Sequence, residues 1–170
     1  MADVMRYNSW DRNFKAPFGA LKTSQNATIK VKVNKNFNVY SIKLIIEKED
    51  ENLKPVIVRE LDLKQVSEYN DIREYSVEIA PLQTPAVYYY FFVVELNIYG
   101  EDRTLFYGKT HNNGMACEYT YENLNKYQLT VYEDYKVPSW FKEGILYHVF
   151  VDRFNNGNRN GKVDNPKKNS

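Results

Sequence analysis

The chain has 170 residues, 43% hydrophobic and 26% charged, a globular balance that excludes a disordered or fibrous polymer. Lys and Arg total 23 against 22 Asp and Glu, and a net charge of +1 gives no field to steer the chain onto nucleic acid or an acidic membrane. A single cysteine, Cys117, excludes an internal disulfide framework, and the longest apolar stretch, Ala86 to Val94, is too short to cross a bilayer as a helix.

In chain order, the hydrophobic period is two almost everywhere, as in strands with one buried face. Ile29, Val31 and Val33 alternate with Thr28, Lys30 and Lys32. In the next run Tyr40, Ile42, Leu44 and Ile46 share one face, with Ser41 and Lys43 opposite. Val56 to Leu63 and Tyr75 to Ile79 repeat the pattern, and Leu63 to Tyr69 has room for one helical turn. Ala86 to Leu96 is apolar on both faces, and Leu105 to Tyr107 and Tyr127 to Tyr132 supply two more short strands. Turn formers separate these runs, among them Asn34 to Asn36, Pro81 to Pro85, Gly100 to Asp102 and His111 to Gly114, where Gly114 is expected to relieve φ strain. About seven short strands of this kind predict an all-β, immunoglobulin-like antiparallel β-sandwich without a long helix.

After Tyr132 the character changes. A charged connector ends at Pro138, and Ile145 to Val151 is an apolar run without clean alternation. Strands buried on both faces read this way, and parallel barrel strands are the usual case. The last stretch, Asn155 to Ser170, has one aliphatic side chain, Val163, and cannot bury surface alone. The reading is therefore a sandwich over 1–136 and, over 137–170, a linker and the truncated start of a second domain. The first residues, Met1 to Phe14, contain no apolar core of a secretion signal, so a cytoplasmic location is expected.

Val137-Pro138-Ser139-Trp140-Phe141, followed by Gly144 to Phe150 and then Val151-Asp152-Arg153-Phe154-Asn155-Asn156-Gly157, resembles the start of the catalytic barrel in glycoside hydrolase family 13. There a Pro-x-Trp precedes a strand with a Tyr-x-x-Phe-x-Asp-Arg-Phe pattern and an Asn-Gly loop. Upstream, Pro17-Phe18-Gly19-Ala20, Tyr88 to Phe91, Tyr107-Gly108 and Leu129 to Tyr132 are similar to the N-terminal, carbohydrate-binding-module-34-like domain of the neopullulanase, cyclomaltodextrinase and maltogenic amylase group. The barrel motif is specific over about twenty residues, and the sandwich likeness is broad and diffuse.

The resemblance implies an accessory, carbohydrate-binding module of an α-glucan hydrolase that shapes the active-site cleft by domain or dimer packing, followed by the first strand of a (β/α)8 barrel. It implies retaining chemistry by two carboxyl groups roughly 5 Å apart, carried on later barrel strands and so beyond Ser170, leaving this portion inactive. It also implies α-glucan or maltooligosaccharide as ligand, the chain's own barrel as a packing partner, and a homodimer in the parent. No cofactor is required, but calcium in the parent is implied by the oxygen-rich set Asn156, Asn158, Asn160 and Asp164. That set departs from the family pattern, because Asn158 stands where Asp is usual and Asp164 is its one carboxylate. The alternatives are a free-standing glucan-binding domain and a structural immunoglobulin-like interaction domain without an enzyme.

Fifteen Tyr, nine Phe and two Trp supply many flat amphipathic surfaces of the type that stack on sugar rings. Tyr88, Tyr90 and Phe92 share one face of their strand, and Val87, Tyr89, Phe91 and Val93 share the other. One face enters the core, leaving the other to stack on glucose or pack against a barrel or second subunit. Tyr88, Tyr90 and Phe92 are taken as candidates, with Trp10 of the polar N-terminal segment, which either stacks on sugar or staples a loop.

Overall fold

The computed structural model describes residues 3–145 and 147–148. The chain divides into one unit ending at Asp134 and a second starting at Tyr135. Among the described residues it forms, in order, β1 (Met5–Arg6), β2 (Lys15–Ala16), β3 (Leu21–Lys22), β4 (Ala27–Asn34), β5 (Asn38–Glu49) and β6 (Pro55–Asp62). There follow β7 (Lys64–Tyr69), β8 (Ile72–Ile79), β9 (Ala86–Ile98), β10 (Glu101–Lys109), β11 (Ala116–Tyr119) and β12 (Tyr127–Tyr132).

These strands make an all-β sandwich of two sheets. The smaller sheet runs β1-β4-β8-β7, with β2 also beside β4. The larger is built on β9, with β5 along one edge and β10 and β12 sharing the other. Beyond these, β6 pairs β5, β11 pairs β10, and β3 lies parallel to β12.

The period-two pattern fixes which face points inward. On β4, Ile29, Val31 and Val33 are fully buried while the residues between them stay half-exposed. On β9, the even residues Tyr88 to Leu96 face the core, opposite Ile42, Leu44 and Ile46 of β5 in register with Val94, Phe92 and Tyr90. Directly opposed residues share a face, so one strand's alternation propagates across the sheet. Each such side chain contributes up to about 1.5–3 kcal/mol of hydrophobic stabilisation.

Three expectations change. Leu63 to Tyr69 makes no helical turn: the chain leaves the larger sheet after β6 and joins the smaller as β7, with Leu63 buried at the corner and its N–H donating to the Ile42 carbonyl at 2.8 Å. Tyr40 does not share the buried face of β5, because a register shift between Val39 and Ser41 turns it out to solvent. Val56, Ile57 and Val58 are exposed on β6, which among the described residues pairs only with β5. Patterning alone does not distinguish such an edge strand from a central one.

In the second unit, Ser139–Glu143 forms a short helix in which Trp140 and Phe141 meet edge-on at 5.7 Å. The strand read over Ile145 to Val151 lies mostly outside the described residues, as do Asp152, Arg153 and Phe154.

Candidate functional site

The face of β9 proposed for sugar stacking is the core face. Tyr90 and Phe92 are fully enclosed and Tyr88 nearly so, with the Tyr88 hydroxyl donating to the Thr84 carbonyl at 2.9 Å. The Tyr7 and Tyr90 hydroxyls meet at 2.8 Å, Tyr90 stacks on Tyr127 at 5.0 Å, and Tyr7 stands edge-on to Phe92 and Tyr127. Burial pushes the Tyr7, Tyr90 and Tyr127 phenols well above their ordinary range. No sugar reaches a sealed aromatic box of this kind. The outer face of β9 is also partly covered: Phe91 is buried, with Tyr121 edge-on at 6.3 Å and the Lys126 ammonium 5.6 Å above its ring.

Trp10 is 62% exposed, so of the four predicted aromatics it alone offers a face to solvent. It sits on a tight turn in which its N–H donates to Asn8 Oδ1 at 3.0 Å. This turn packs on the loop before β11: the Ser9 N–H donates to the Gly114 carbonyl at 2.9 Å, and Asn8 bridges Met115. Gly114 serves here by close approach and not by a left-handed backbone. A Cβ at Gly114 would stand 2.6 Å from Asn8 Oδ1 and 2.8 Å from Trp10 Cδ1.

The same N-terminal segment ties the two sheets together. Its residues Met5 and Arg6 pair with β4 in the smaller sheet, while the Tyr7 carbonyl accepts the Ala116 N–H of the larger sheet at 2.9 Å. From Tyr7 back to Asp3 the two sides part. The opening is a cleft of about 710 Å³, within the range of small-ligand sites. Its walls carry Phe37, Leu105 and Tyr107, with Asp3, Arg103 and Glu118 as its charged groups. Burial raises the Tyr107 phenol, and the charges of Glu118 and then Asp3 raise it further, so both carboxylates lie within electrostatic reach of that hydroxyl.

Tyr99, which also lines this cleft, was not singled out from the sequence. It is fully exposed and occupies the two-residue turn between β9 and β10, with φ of 54° at Tyr99 and 90° at Gly100. Positive φ at both positions is the signature of a type I′ hairpin, which favours Asn-Gly and penalises a bulky side chain at the first position. The signal was present in the sequence as Tyr-Gly between two alternating runs. On the neighbouring side of the hairpin, Asp102 accepts from Asn97 at 2.8 Å and from the Tyr40 hydroxyl at 3.0 Å. These hydrogen bonds, that of Asn97 first, hold its carboxyl below the ordinary range.

Among the described residues no cluster of three or more His, Cys, Asp or Glu is placed to hold a metal, and no helix is long and apolar enough to cross a membrane. The calcium candidates Asn156, Asn158, Asn160 and Asp164 lie outside the described residues.

No family model matches the chain. It is 29% identical over 158 residues to an amylopullulanase of Thermoanaerobacter thermohydrosulfuricus, covering 91% of this chain and 10% of that protein. Amylopullulanases of Thermoanaerobacterium thermosulfurigenes and Thermoanaerobacterium saccharolyticum are each 24% identical over 159 residues, covering 8% and 12% of those proteins. The chain thus spans about a tenth of the length of the curated relatives it matches. Among solved structures, a cyclomaltodextrinase aligns over 84% of this chain and 22% of its own, with a TM-score of 0.42 and 14% identity. Along 91% of its length, this chain is similar to a segment of the amylopullulanases.

Proposed function

We propose that the chain is an immunoglobulin-like accessory module of an α-glucan-hydrolysing enzyme of glycoside hydrolase family 13, and that it contacts the glucan directly. The observation that carries this reading is the similarity over 91% of the chain to amylopullulanases of which it covers only 8–12%. A segment that small within a hydrolase is sized as a module. In this reading residues 1–136 form the module and 137–170 lead into the catalytic barrel. Retaining hydrolysis by a carboxyl pair belongs to that barrel, and the module holds and orients substrate. Calorimetric titration of the chain with maltotriose and β-cyclodextrin tests the reading. Millimolar or tighter binding supports it, and no heat with either sugar at millimolar concentration overturns it.

A second reading is favoured by the outer face of the larger sheet. Ile57, Val87 and Tyr121 are 52%, 42% and 55% exposed there, flanking the covered Phe91. Apolar groups grouped on one sheet face suit packing against a barrel or a second subunit. The module would then also shape the active-site cleft by domain or dimer packing. Sedimentation of the chain at increasing concentration tests the dimer part of this reading, which requires a concentration-dependent rise in mass. Calcium in the parent remains a proposal of the Asn156, Asn158, Asn160 and Asp164 set, tested by chelator effects on the melting of a chain that includes the barrel.

A further inference from the structure

We infer that the module's glucan site is the cleft between β1 and β11, with Tyr99 as the aromatic platform at its mouth, and that Trp10 is a structural staple. The inference rests on the glucan-binding reading above and assigns that reading to a site.

Two independent observations meet at this place. The first is the cleft, about 710 Å³ in volume, open where the N-terminal segment parts from β11. Its walls combine the half-buried Phe37 ring and the exposed Tyr99 with the carboxylates of Asp3 and Glu118 and the guanidinium of Arg103, over a floor that includes the buried Tyr107. Pyranose rings need this combination, with C–H faces laid on apolar rings and hydroxyls shared between charged acceptors and donors. An anionic ligand would meet two carboxylates, whose charge the Arg103 guanidinium, paired with Glu101 at 2.9 Å, does not cancel. The hydroxyls of a neutral polyol can donate to those carboxylates without a charge of their own to be repelled.

The second observation is Tyr99. A non-glycine side chain in a left-handed turn is strained, and a bulky one is a true outlier. Such strain concentrates at functional sites, where it is held by the surrounding structure. Here the hairpin register from Ile98–Glu101 onwards and the Asn97 side chain, which accepts the Gly100 N–H at 2.9 Å, hold the turn in place. The strained residue is also fully exposed, so burial does not explain it. Leu53 has a similar backbone, with φ of 59°, and is 76% exposed, but it is not among the residues that line this cleft. Strain, exposure and a cleft coincide at Tyr99. Trp10, by contrast, is pressed against Gly114 at the closed end of the seam.

The test uses the whole chain and two variants, Tyr99→Asn and Trp10→Ala, titrated calorimetrically with maltotriose and melted in parallel. Asparagine suits the turn but removes the ring. The inference predicts that Tyr99→Asn melts about 2–4 °C higher than the parent chain yet binds maltotriose about tenfold more weakly. Trp10→Ala keeps the affinity of the parent chain. A third variant, Glu118→Gln, weakens binding without altering the melting temperature by more than about 1–2 °C. If affinity is lost in Trp10→Ala and kept in Tyr99→Asn, the cleft assignment is overturned while the glucan-binding reading stands. If the parent chain itself binds no maltotriose or β-cyclodextrin, the reading falls and takes the assignment with it.

Discussion

The two ends of one seam use the same kind of residue in opposite ways. Where Tyr7 meets β11 the sheets close, and Tyr7, Tyr90, Tyr127 and Phe92 form a sealed box with a hydroxyl pair at 2.8 Å. A few residues away, at Asp3 and Glu118, the sheets part and Phe37, Tyr99 and Tyr107 border an open cleft. Aromatic content is therefore no guide to function by itself. What decides is which residues the N-terminal segment ties down, because that determines where the sandwich is closed and where a ligand has access.

The closed end should carry the stability. Tyr90→Ala removes a fully buried ring and its hydrogen bond to Tyr7, and is expected to cost about 3–5 kcal/mol in urea unfolding. A loss below about 1 kcal/mol would mean that the box is not packed as described. A pH titration probes the same region. The Tyr7, Tyr90 and Tyr127 phenols are raised in the fold, so their contribution is fully present below the ordinary tyrosine pKa near 10 and is lost as pH rises above it. Urea midpoints should be flat from pH 7 to 9 and fall steeply beyond pH 10, and a flat profile to pH 12 would contradict the burial.

Gly114→Ala presses on Asn8, Ser9 and Trp10 together and should cost about 1–3 kcal/mol, with a shift in Trp10 fluorescence as the turn moves. An unchanged spectrum would free Trp10 from its role as a staple. The smallest effect is expected at Leu53→Asn, which relieves a left-handed backbone without touching the cleft. It should add about 1 kcal/mol or less and leave sugar affinity unchanged. If it alters affinity as much as Tyr99→Asn, turn strain and not the aromatic ring is responsible.

The alternation of Ile29, Val31 and Val33, and of Ile42, Leu44 and Ile46, made the sandwich legible in the sequence, because a buried face imposes period two whatever the partner strand. β1, β2, β3 and β11 were missed, since strands of two to four residues carry too little pattern to detect. The sheet switch at Leu63 and the bulge before Ser41 leave no periodic trace either. Of the site, Trp10 was left open between sugar stacking and stapling a loop, because a polar segment shows no face to bury, and the structure places it 62% exposed on a turn packed against Gly114. Tyr88, Tyr90 and Phe92 were assigned to the wrong face, because both faces of β9 are aromatic and periodicity separates faces without saying which is inside. The cleft itself unites residues near positions 3, 37, 99, 107 and 118, which sequence spacing does not bring together.

The most direct test of the central claim is to map backbone amide shifts of the chain as β-cyclodextrin is added. Shifts should group on Phe37, Tyr99, Gly100, Leu105 and Glu118, with those around Trp10 and on the outer face of β9 unmoved. Saturable shifts centred on Trp10, Asn8 and His111 instead would contradict it and put the sugar at the closed end of the seam.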